Sequence, residues 1–115
     1  MDRVHYAGHS VVTGTAIAEA LLDYAQALAQ VKGAATIQIP TVHDDGSPGR
    51  SEILVGPSSQ LMSDAEASEF EEVTDETLVT YLHHEAVSLR AHGLASGSAA
   101  IPERGAVRDW PDFEL

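Results

Sequence analysis

The sequence predicts an α+β fold: a small antiparallel β-sheet, made of a central hairpin and an N-terminal one, covered by two α-helices. Three observations predict it. Apolar residues recur at helical spacing over Thr15–Val31 and again over Asp75–Ala91. Between them two β-branched runs, Thr36–Val42 and Ser51–Val55, flank a segment dense in turn formers. With 115 residues, 43% of them hydrophobic, the chain supports a single core. Its domain is read as residues 1–93, followed by a C-terminal tail over 94–115.

At the start, RVHYAGHSVV places Ala7-Gly8 between β-favouring pieces at Val4–Tyr6 and Ser10–Val12, the pattern of a short hairpin. His5 and His9 would meet across that turn as a metal pair. Two histidines with no third ligand in view fall short of a metal site, so the turn reading is preferred.

In the first helix Ile17, Leu21, Tyr24, Leu28 and Val31 stack on one side, and Glu19, Asp23, Gln26 and Gln30 form a narrow polar stripe. Between the two stripes lie Ala18, Leu22, Ala25 and Ala29, so the apolar arc is wider than one packing contact needs. Thr13 or Thr15 can cap the amino end, and Gly33 suits a left-handed residue after the last turn, beside Lys32.

The run TIQIPTV puts Ile37 and Ile39 on one face and contains Pro40, which places this strand at a sheet edge or at a bulge. The segment Asp44-Asp45-Gly46-Ser47-Pro48-Gly49 is the hairpin tip, and Gly56-Pro57 ends the second strand. Neither a calcium loop nor a phosphate loop fits this tip. Its acids are adjacent where a calcium loop alternates them, and no glycine-rich run precedes a lysine.

Residues 58–74 lose periodicity and gather Asp64, Glu66, Glu69, Glu71 and Glu72 without a basic residue. They read as a solvated linker, with Leu61 and Met62 folded back on the core; the alternative is an acidic docking segment for a basic protein. The second helix starts at Thr74 or Asp75, buries Val79, Leu82, Ala86 and Leu89 reinforced by Leu78, and ends at Gly93. Its His83-His84-Glu85 approaches a zinc-protease helix, but the residue four beyond His84 is Ser88. Adjacent histidines point about 100° apart on a helix and cannot chelate as that pair does. The tail ends in DWPDFEL, whose Trp110 and Phe113 either dock on their own domain or a neighbouring subunit, or await another protein.

A formal charge of −12 repels a phosphate backbone and argues against nucleic-acid binding. No run is long and apolar enough for a membrane span, no secretory signal is readable, and the chain has no cysteine, which together suggest a soluble, cytoplasmic protein. No nucleophile elbow, no S-x-x-K and no cofactor motif is present, so the sequence assigns no catalytic, cofactor or metal residue. The leading functional expectation is a non-enzymatic accessory or assembly module. It would form a homodimer through Leu22, Ala25 and Ala29, or interact through Trp110 and Phe113. The alternative is a small enzyme or ligand-binding protein whose histidines and carboxylates meet in the fold. A pocket lined by two histidines and a carboxylate would favour the alternative; an apolar outer patch would favour the first.

Overall fold

A computed structural model describes residues 1–93, and the expectations for Trp110 and Phe113 lie outside the described residues. Seven elements follow in order: β1 (Asp2–Tyr6), β2 (His9–Thr13), α1 (Thr15–Gln30), β3 (Ala35–Val42), β4 (Pro48–Val55), β5 (Leu61–Ala65) and α2 (Glu76–His92). The strands form one antiparallel sheet in the order β4-β3-β2-β1-β5. This is the α+β arrangement expected, with both hairpins in place.

The first hairpin turns on Ala7 and Gly8, both at positive φ (52° and 83°), the geometry of a two-residue turn whose twist matches its strands. Its register pairs His5 with Ser10 and Tyr6 with His9. His5 and His9 therefore leave opposite faces of the sheet, which removes the expected pair. The central hairpin pairs Ala35 with Val55 through Val42 with Pro48. At its tip Gly46 (φ 88°) donates to the His43 carbonyl, and Asp45 accepts from both the amide and the hydroxyl of Ser47.

Pro40 is not at an edge, because β3 lies between β4 and β2. The reason it is tolerated lies in how briefly β2 and β3 pair: their register is the single pair Val12–Val42. Strand alternation turns the Pro40 nitrogen toward β2, where the ladder has already ended. Its carbonyl is taken up by the Thr13 hydroxyl at 2.7 Å. The β5 strand replaces part of the expected linker. It pairs along β1 from Tyr6–Leu61 to Asp2–Ala65, so Leu61 packs on the core while Met62, one residue on, faces outward and is exposed.

The core gathers Val4, Ile37, Ile39, Ile53 and Val55 from the sheet, Ile17, Leu21, Tyr24 and Leu28 from α1, and Leu82 from α2. The expected stripe on α1 is buried as far as Leu28, and Val31 serves as its C-cap instead. Neither threonine caps α1 with its side chain. Gly14 is the N-cap, the Thr13 hydroxyl is spent on Pro40, and that of Thr15 donates to Asp2. The Thr15 amide finds its acceptor in the Glu72 carboxylate at 2.7 Å, 57 residues away in sequence. At the other end the left-handed residue is Lys32 (φ 57°), not Gly33. The amides of Lys32 and Gly33 return to the carbonyls of Ala29 and Leu28, which closes a Schellman turn. Asp75 caps α2 by accepting from the Leu78 amide, and Gly93 (φ 75°) terminates it.

Candidate interaction surface

The placement of α2 decides which part of the wide apolar arc of α1 is left uncovered. Asp23 on α1 accepts from His83 at 2.8 Å and pairs with Arg90 at 2.7 Å, and Arg90 also donates to the Gln26 side chain. These contacts place α2 along the flank that carries Ala20 and Ala27, both fully buried. The flank carrying Leu22, Ala25 and Ala29 lies about 150° around the helix and faces away from α2. Ala18, which the sequence grouped with them, is buried in the core.

That flank forms one wall of a groove of ≈ 500 Å³, with Ser59 and Leu61 on the opposite wall and Glu19, Asp23 and Gln26 along its rim. Leu22 and Ala25 are half-buried and Ala29 is exposed. The structure therefore brings together the three α1 residues singled out by their spacing. Sequence reasoning missed the facing wall, although Leu61, Ser63 and Ala65 carry a faint alternation that a strand would explain.

Of the acids at this rim Asp23 is paired, whereas Glu19 is exposed and has no ion pair among the described residues. Hydrogen bonds from His83 and then Arg90 hold the Asp23 carboxyl below the usual carboxylate range. On the outward face of the sheet, His5 meets Asp64 at 3.1 Å, and Arg3 grips both oxygens of Glu66 at 2.7 and 2.9 Å, which depresses that carboxyl as well. The Thr15 amide, followed by the Met1 ammonium, lowers Glu72 in the same direction.

The histidines do not converge. His83 is committed to Asp23, and His84 is well exposed with Glu85 at 3.8 Å, beyond hydrogen-bond reach. Five surface depressions on the described residues are each lined by at most one histidine. Among the described residues no three histidine or carboxylate side chains form a ligand set for a metal ion, and no helix is long and apolar enough to cross a membrane. The largest of these five, ≈ 610 Å³, lies beside Tyr6 and is walled by Ala7, Gly8, Leu54 and Ser58–Gln60. The Tyr6 hydroxyl donates to the Leu54 carbonyl there, which ties β1 to β4 across a strongly coiled sheet. This wall offers hydroxyls and backbone but no acid–base pair. Compared with protein-family models, curated proteins and solved structures, the chain matches none.

Proposed function

We propose that this domain is a non-enzymatic assembly module of the cytoplasm that works as a two-fold homodimer through the Leu22–Ala25–Ala29 flank of α1. One observation carries the reading: α2 packs on the opposite flank, so among the described residues the surplus apolar surface of α1 is covered only in part, by Ser59 and Leu61 across the groove. Burying apolar surface contributes about 25 cal/mol per Å², and two-fold symmetry lets one such flank cover its own copy. The paired state of Asp23 at the rim lowers the cost of bringing two acidic chains together there.

Light scattering coupled to size exclusion tests the reading. A dimer is expected at micromolar concentration, and Leu22→Glu is expected to give a folded monomer, because a carboxylate at this flank would be desolvated on association. A wild-type chain that stays monomeric at high micromolar concentration overturns it.

A further inference from the structure

We propose that the dimer interface extends onto the sheet edge, with β5 pairing antiparallel with β5 of a second copy, so that two five-stranded sheets join into one of ten strands. This rests on the self-association just proposed and adds the backbone groups that make it. The Glu66 amide donates to the Met1 carbonyl at 2.9 Å and so continues the β1–β5 ladder by one residue. Antiparallel ladders alternate, so Met62 and Asp64 exchange their hydrogen bonds with β1, and the amides and carbonyls of Leu61, Ser63 and Ala65 point away from the sheet. Among the described residues nothing takes these outward groups.

The opposite edge is treated differently. The His43 amide donates to the Ser47 carbonyl and fixes the alternation of β4, leaving Pro48, Arg50, Glu52 and Leu54 outward. Pro48 has no amide hydrogen, Arg50 and Glu52 are charged, and the Leu54 carbonyl is occupied by the Tyr6 hydroxyl. Proline and charge are the usual means of blocking an edge strand. On its outward-pointing residues β5 carries none of them.

Charge and symmetry identify the occupant as a second copy. A chain at −12 repels itself over most of its surface, but here Glu66 is paired with Arg3 and Asp23 with Arg90, and the Asp64 and Asp23 carboxylates are hydrogen-bonded by His5 and His83. Repulsion between copies is therefore reduced along β5, and Glu19 is the acid at the adjoining groove rim that has no ion pair among the described residues. A two-fold axis at Ser63 sets Ser63 against Ser63 and Leu61 against Ala65 on the face that carries the groove, and Met62 against Asp64 on the other face. These pairs are small, apolar or uncharged on at least one side, and no two acids lie directly opposite. The same axis brings the two Leu22 flanks to one side of the joined sheet.

The test combines hydrogen exchange on the full chain at two concentrations with the variant Ser63→Pro. The Ser63 amide does not serve β1, so proline there removes an outward donor and spares the internal ladder. Supporting results are a wild-type dimer in which the Leu61, Ser63 and Ala65 amides exchange at least about tenfold more slowly than in the dilute monomer, and a Ser63→Pro chain of half the wild-type mass. If wild type dimerises while those amides exchange at the same rate in both states, edge pairing is overturned and association through α1 stands. A wild-type monomer overturns both. Should Ser63→Pro fail to fold, the wild-type exchange data decide alone.

Discussion

Tyr24 sits in the core with 7% of its surface exposed, and burial, followed by the negative charge of Tyr81 and Glu85, pushes its hydroxyl up to about 12. Because the folded value lies above the unfolded one near 10, the folded state holds its proton longer. This contribution to stability is complete below about pH 10 and is lost as pH rises toward 12. At 1.36 kcal/mol per unit the loss amounts to roughly 3 kcal/mol. Chemical denaturation at increasing pH should show this decline in wild type and a shallower one in Tyr24→Phe; parallel curves would mean that the ring ionises in the native state without penalty. Gly14 is constrained by space instead. A Cβ there would lie 1.8 Å from the Val73 carbonyl oxygen, and both the N-cap and the chain entering α2 are backbone that cannot swing aside. Gly14→Ala should cost at least about 2 kcal/mol by overpacking. Gly8→Ala meets no atom within 4 Å and suffers only the strain of its positive φ, about 1–2 kcal/mol. Denaturant midpoints that rank Gly8 as the more sensitive position would contradict the close approach at Gly14.

Among the elements, the two helices and both hairpins were legible because each carries its own signal: period near 3.6 over 16 and 17 residues, or a turn between β-branched runs. β5 carries almost none, since Ser, Asp and Ala are weak strand formers, and its existence depends on β1 supplying a ladder from the other end of the described chain. The same division holds for the caps. Asp75 was legible because it acts on its own helix, whereas α1 is capped by Glu72, which no local pattern can reveal. The interaction surface was half legible for this reason too: Leu22, Ala25 and Ala29 stand out as surplus on their helix, but Leu61 opposite them belongs to the strand that was missed. Three substitutions separate core, exposed side and cap. Leu21→Ala, at the centre of the buried stripe, should cost roughly 2–5 kcal/mol, whereas Gln26→Ala, on the exposed side, should be nearly neutral. Glu72→Ala should cost about 0.5–2 kcal/mol as the loss of an N-cap. The Glu72 carboxyl titrates below its unfolded value, so its contribution is present above the ordinary carboxylate range and fades as pH falls through the folded value. Stability differences between Glu72→Ala and wild type should therefore narrow in acid; a constant difference would mean that packing, not the charged cap, was removed.

At the scale of the whole molecule the dominant quantity is the excess of 12 negative charges. Two electrostatic effects oppose each other when salt is added. Pairs such as Asp23–Arg90, Glu66–Arg3 and Glu72 with the Met1 ammonium are weakened, but they are partly exposed and worth about 0–1 kcal/mol each. Against them stands the mutual repulsion of the remaining acids, concentrated where Glu69, Glu71, Asp75 and Glu76 lie within eight residues. Screening shortens from about 30 Å at 0.01 M to about 8 Å at 0.15 M, which removes the many long-range repulsions while leaving most of each short-range attraction. The melting temperature should rise over that range in chloride, and dimerisation should strengthen with it, because association brings two acidic chains together. A melting temperature that rises while the dimer weakens would place attractive ion pairs across the interface. A fall in both would mean that the few pairs outweigh the net charge.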